Sequence, residues 1–135
     1  MSVSYADAEP NGLAELLGGL IEGNLAAHPA RAAYLRPARI ELLGRDADVA
    51  VSLRFGDGTV EVANGAAHRP HLAIAADASA LLDLARAPLR LGLPDVLHPD
   101  GRAVLAALAR GDLRVRGLLR HPVRLARFSR LLSVA

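Results

Sequence analysis

Two stretches of the chain carry side chains that could move protons or hold a metal. His68-Arg69-Pro70-His71 places two imidazoles three residues apart, and Asp95, His98 and Asp100 set a base beside two carboxylates. The first arrangement suits metal ligation and the second suits general acid–base catalysis. Neither is completed by its neighbours. No Cys or carboxylate stands beside the histidine pair to finish a metal site, and the alternation of the segment that follows sends His71 to a solvated face. Helix capping by Asp100 accounts more simply for the second cluster. The chain has no Gly-x-Ser-x-Gly elbow, no His-Glu-x-x-His and no dinucleotide fingerprint. These absences argue for a protein without catalytic residues, metal ligands or cofactor, and so against an enzyme.

Composition narrows the classes further. The absence of Cys excludes disulfides and thiolate nucleophiles and fits a reducing cytoplasm. All 16 basic residues are Arg, which removes Schiff-base chemistry and any phosphate loop that needs Lys, although a GC-rich genome explains the same bias. A hydrophobic fraction of 52% against 3% aromatic residues makes the interior aliphatic. Such an interior is either an ordinary core or the lining of a greasy pocket. At 135 residues the chain reads as one domain with a single core, residues 1–10 forming a flexible N-terminal tail. No repeat, basic leader or span of membrane-crossing length is present.

Charge is lopsided. Residues 102–135 hold 8 Arg and one Asp, a net of +7, whereas residues 1–101 hold 8 Arg and 13 acidic residues, a net of −5. The basic end has three readings: a solvated helix face, a patch for anionic lipid, or a nucleic-acid contact. Nucleic acid is disfavoured, because aromatics for stacking are few and Arg114 and Arg116 share their sheet with Glu41 and Glu61.

The elements that would position these residues start with the run from Val49 to Val62. Val49, Val51, Leu53 and Phe55 alternate with Ala50, Ser52 and Arg54, and Val60 and Val62 resume the apolar side. A two-residue primed turn at Asp57-Gly58 would set Phe55 against Val60, Leu53 against Val62 and Arg54 against Glu61. Ile40 and Leu42, Leu72 and Ile74, and Leu113 and Val115 extend the same alternation. The expected fold is therefore α+β, a five-stranded and largely antiparallel sheet with one apolar face.

About five helices should cover that face. Leu13, Leu16, Leu17, Leu20, Ile21 and Leu25 recur at helical spacing after Asn11, a good N-cap, with Gly18 and Gly19 marking close packing or a kink. A short helical segment is expected over residues 29–35. Asp77 would cap a helix through Leu81, Leu82 and Ala85, and Asp100 another through Val104, Leu105 and Leu108 that stops at Gly111. The apolar stretch Leu89-Arg90-Leu91-Gly92-Leu93-Pro94 between them packs in the ordinary way or rims a pocket. A last helix follows Pro122 with Leu125, Phe128 and Leu132 on one side and Arg120, Arg124, Arg127 and Arg130 on another.

This order of elements, with the phrases Phe55-Gly56-Asp57-Gly58-Thr59-Val60 and Gly111-Asp112-Leu113-Arg114-Val115-Arg116-Gly117, resembles the sterol carrier protein family of non-specific lipid-transfer domains over most of the chain. Its end, Leu132-Ser133-Val134-Ala135, is not the peroxisomal signal of many eukaryotic members, so bacterial stand-alone relatives are the nearer comparison. The resemblance implies a sterol-carrier-like sheet and helices enclosing an apolar cavity that the terminal helix helps to close. A hydrophobic small molecule, such as an acyl lipid or isoprenoid, would be carried or sequestered there in the cytoplasm without further chemistry. The lining would fall on Leu53, Phe55, Val60, Val62, Leu72, Ile74, Leu82, Leu91, Leu93, Leu105, Leu108, Val115, Leu125, Phe128 and Leu132. Arg120, Arg124 and Arg127 would meet a headgroup or an anionic membrane. The alternative is a ligand-free accessory module that docks a partner through its apolar edge or its basic C-terminal helix.

Overall fold

The computed structural model describes residues 2–46, 48–77, 80, 89–90, 93–94, 99–111, 113–117 and 120–133. In chain order these form β1 (Val3–Tyr5), α1 (Gly12–Ala27), a 3-10 helix (Pro29–Tyr34), β2 (Ala38–Gly44), β3 (Val49–Gly56), β4 (Thr59–Asn64), β5 (Leu72–Ala76), β6 (Leu89–Arg90), β7 (Leu93–Pro94), α2 (Pro99–Arg110), β8 (Leu113–Arg116) and α3 (Pro122–Leu132). The main sheet runs β1-β4-β3-β2-β5-β8. Alternation decides its faces. Ala38, Ile40, Leu42, Val51, Leu53, Phe55, Val60, Val62, Leu72, Ile74 and Leu113 are buried on one side, while Arg39, Arg54, Glu61, Arg114 and Arg116 are exposed on the other.

The expected hairpin register is observed, with Phe55 opposite Val60, Leu53 opposite Val62 and Arg54 opposite Glu61. The turn differs from the primed type. Gly58 takes φ +78° but Asp57 does not enter the positive-φ region that a primed turn demands of it. The apolar alternation holds the register without that turn, since a one-residue slip would turn every buried side chain outward.

The sheet has six strands where five were expected, and it is mixed: β1 pairs with β4 and β2 with β5 in parallel. The sixth strand comes from the segment expected to be a flexible tail. Val3 is buried opposite Val60, the Asp7 carboxylate accepts from Asn64 N (2.7 Å), and Asn11 N donates to Asn64 Oδ1 (2.9 Å). These contacts tie residues 2–11 along the length of β4. Parallel pairing needs a long crossover, and α1 with β2 and β3 supplies it between β1 and β4.

Asn11 caps α1 as expected, its side chain accepting from Ala14 N (2.9 Å). The helix continues unbroken through both glycines. A Cβ at Gly18 would lie 2.2 Å from the Tyr5 hydroxyl, so the helix packs closely on the Tyr5 side chain there, whereas nothing approaches Gly19. The buried stripe is Ala14, Leu17, Gly18, Ile21 and Asn24, leaving Leu13, Leu20 and Leu25 partly covered and Leu16 38% exposed. Asp100 lies within the first turn of α2 rather than ahead of it, because the helix begins at Pro99. Gly111 ends that helix with φ +78°, as the sequence indicates. The helix expected after Asp77 falls outside the described residues apart from Ala80. Part of the Leu89 to Pro94 stretch forms a separate antiparallel ribbon, β6 with β7, instead of a plain loop.

Candidate functional site

Helices close over the apolar face of the sheet. Leu17 and Ile21 of α1, Val104 and Ala107 of α2, and Phe128, Leu131 and Leu132 of α3 are all buried with the strand side chains in one cluster. Phe128 meets Phe55 edge-on, with ring centroids 6.3 Å apart at 71°. Of the residues expected to line a cavity, Leu53, Phe55, Val60, Val62, Leu72, Ile74, Phe128 and Leu132 are buried on this face, and Val115 and Leu125 are partly buried. Leu108 does not join them. It sits 39% exposed on α2, because helical phase turns Val104 and Ala107 inward instead. Leu82 and Leu91 lie outside the described residues, as do the side chains of Leu93 and Leu105.

The seat of α3 is also held by polar contacts that hydropathy does not announce. Asn24, buried on α1, donates through Nδ2 to the Leu131 carbonyl (2.9 Å), and Arg31 donates to the Ser133 carbonyl. Arg130 Nη1 donates to the Tyr34 hydroxyl (2.7 Å) and its guanidinium stacks over the same ring at 5.1 Å. Arg124 Nε donates to the Pro37 carbonyl (3.3 Å). Between α3 and the strands, Tyr34, Ala38, Ile40, Phe55, Phe128 and Leu131 enclose a slot of only about 10 Å³, with Arg36, Arg124 and Arg127 at its mouth. That is roughly the space of one water. Asn24 and Leu131 went unnoticed in the sequence; the signal available was their helical offset of three residues from Ile21 and Phe128.

The opposite face is open. One concavity of about 580 Å³ spans β2, β3 and β4, walled by Arg39, Arg54, Glu61, His68, Arg69 and His71. The crossover from β4 to β5 passes over this face, pinned where Ala67 N donates to Glu41 Oε1 (3.2 Å) and Arg39 Nε donates to the Arg69 carbonyl (3.0 Å). A second concavity of about 690 Å³ is lined by Pro70, His71, Ala73, Val115, Arg116, Gly117, Arg120 and His121. His71 and His121 stand edge to face there with ring centroids 5.0 Å apart. His71 Nδ1 accepts from Arg39 N (2.9 Å), and His121 Nδ1 lies 3.0 Å from Arg124 Nη1. Partial burial, then the charges of Arg124 and Arg39 and the nearby His121, lower the His71 pKa from its ordinary value.

Among the described residues no group of three or more His, Cys, Asp or Glu is placed to hold a metal, and no helix is long and apolar enough to cross a membrane. Of the arginines expected at a headgroup or membrane, Arg120 is exposed while Arg124 and Arg127 are partly buried beside the slot.

No protein-family model matches the chain, and no curated protein matches its sequence. Solved structures do. The ubiquinone synthesis protein UbiJ-SCP2 is 21% identical, with a TM-score of 0.60 over 89% of this chain and 92% of its own. A conserved hypothetical protein of Thermus thermophilus, described as a candidate sterol carrier protein, is 17% identical, with a TM-score of 0.41 over 100% of this chain and 97% of its own. With its mixed sheet roofed on one face by helices and its likeness to UbiJ-SCP2, the chain has the SCP2-like fold.

Proposed function

We propose that the chain binds a hydrophobic small molecule between the apolar sheet face and α3, for carriage or sequestration in the cytoplasm, and does no chemistry on it. The observation that supports this reading is the slot between Phe55, Ile40 and Phe128, apolar within and ringed at its mouth by Arg36, Arg124 and Arg127. A greasy tail would enter and an acidic or polar head would stay with the arginines. At about 10 Å³ the slot admits no tail as it stands, so α3 must lift. Exposing Phe128, Leu131 and Leu132 costs about 6 kcal/mol at roughly 2 kcal/mol each. An acyl chain returns about 0.8 kcal/mol per methylene. Tails of fewer than about eight methylenes therefore cannot offset the opening, whereas longer acyl or isoprenoid tails can. The structural match named for ubiquinone synthesis makes an isoprenoid quinone a ligand to try alongside fatty acids.

A fluorescent fatty acid titrated into delipidated protein tests this. Saturable uptake that is competed by long but not by short fatty acids is expected, and uptake indifferent to tail length would contradict it. Transient contact with anionic membrane through Arg120, Arg124 and Arg127 fits delivery of such a ligand, since basic amphipathic helices favour anionic surfaces. Charge reversal at Arg120 and Arg127 is expected to weaken binding to anionic vesicles.

One observation favours the second reading, a ligand-free accessory module: side chains already occupy the slot. Such a module would copurify with no lipid and would gain no thermal stability from one.

A further inference from the structure

We infer that the concavity between β5, β8 and the start of α3 is a binding site for a tetrahedral oxyanion, of the kind presented by a phosphate group. It lies on the other side of the sheet from the slot and stands whether or not the slot takes a ligand.

The chemistry of the two histidines carries the argument. Arginine offers only donors, so the His121 nitrogen facing Arg124 Nη1 at 3.0 Å must be an acceptor. The His71 Nδ1 is an acceptor for the same reason, facing the backbone N–H of Arg39 at 2.9 Å. With Nδ1 accepting, each ring carries its N–H donor on Nε2. Both rings also line one concavity with Arg116 and Arg120, and among the described residues no carboxylate lines it. The residues that line the cavity thus carry two imidazole N–H groups and two guanidinium groups, all donors.

Charge points the same way. The charges of Arg39 and Arg124 bear on His71 from β2 and from α3. The ion pairs of Arg36 with Asp57 and of Arg45 with Asp77 lie elsewhere. Glu61 shares the neighbouring concavity with Arg39 and Arg69, whereas Arg116 and Arg120 have no ion pair among the described residues, and a doubly charged oxyanion would accept bidentate hydrogen bonds from their guanidinium forks. The same arginines oppose a metal cation at the histidine pair. A tetrahedral oxyanion could come from a soluble phosphorylated metabolite or from a phospholipid head, and both present the same oxygens.

Sulfate is the first probe, because it keeps a fixed double charge across the range in which histidine titrates. In spectra resolving the histidine ring protons, sulfate should shift His71 and His121 saturably. It should also raise the His71 pKa toward its ordinary value, because an anion there offsets the charges of Arg124 and Arg39, and binding and protonation are reciprocally linked. Replacing both exposed arginines, Arg116→Gln with Arg120→Gln, should weaken sulfate at least about tenfold. Arg54→Gln, on the same sheet face, should leave affinity unchanged. Inorganic phosphate and diphosphate binding as sulfate does would assign a soluble source. Binding to phosphatidylglycerol vesicles, absent with phosphatidylcholine, competed by sulfate and lost in the double variant, would assign a lipid head. Shifts that never saturate, that spread evenly over the surface, or that survive the double substitution in a protein with native spectra would overturn the site.

Discussion

The two sides of the sheet differ in what closes them. Beneath the helices, aliphatic and aromatic side chains leave, among the described residues, a slot of about 10 Å³; across the strands, small residues and long arginines leave concavities of about 580 and 690 Å³. The dry side is shaped by burial, which rewards filling every gap. The wet side is shaped by charge, which holds side chains apart. A ligand for the first must compete with the protein's own side chains, whereas a ligand for the second meets donors already in place. Affinity on the dry side should therefore depend on tail length, and on the wet side on ionic strength.

Substitutions can break that contrast, beginning where the effect is largest. Phe128→Ala removes a buried ring from its partner Phe55 and should cost about 3–5 kcal/mol in chemical denaturation. The same variant widens the slot, so the stabilisation it gains from a long-chain fatty acid should exceed that of the native chain. Gly117→Ala should cost about 3 kcal/mol, because Gly117 takes φ +90° and an added Cβ would fall 2.1 Å from the His71 carbonyl oxygen. It should also disturb the histidine pair, which the ring-proton spectra would report. Asn24→Ala should cost about 1–2 kcal/mol by leaving the Leu131 carbonyl without its donor. Faster amide exchange confined to the end of α3 would accompany it.

Acid sharpens the contrast from the wet side. The lowered pKa means that folded His71 binds fewer protons than the unfolded chain. Its contribution is fully present above the ordinary value of about 6.5 and is lost as pH falls through the folded pKa below it. Denaturation midpoints should drop over that window, and His71→Asn, which keeps an acceptor for Arg39 N, should flatten the dependence. The smallest effect is expected at Arg36→Ala, since its pair with Asp57 is 3.4 Å long and the two side chains are 58% and 73% exposed. A midpoint change above about 1 kcal/mol there would contradict the surface reading.

What the sequence disclosed follows from what alternation can encode. The pairing of Phe55 with Val60 was legible because period-two burial fixes register whatever the turn, and the departure at Asp57 did not disturb it. Strand direction is not written in that pattern, so the parallel pairing of β2 with β5 was missed. β1 was missed because Val3-Ser4-Tyr5 is too short to show a period and pairs with a strand far along the chain. Phe128 and Leu132 are buried as helical spacing indicates, whereas Leu108 is exposed because α2 turns a different stripe inward. The histidine pair was invisible for a different reason. Arg39, His71, Arg116 and His121 sit on separate segments and meet only through the strand order β2-β5-β8 and the return of the chain into α3. No spacing in the sequence brings them together.

The central claim is that α3 covers a surface meant for a greasy guest. Native mass spectrometry of the purified chain, followed by solvent extraction and by thermal melts of the delipidated protein with fatty acids of increasing length, tests it most directly. The account predicts one extractable amphiphile bound per chain, and a melting temperature that rises only with tails longer than about eight methylenes. A bare chain mass, with melts unmoved at every tail length, would contradict it.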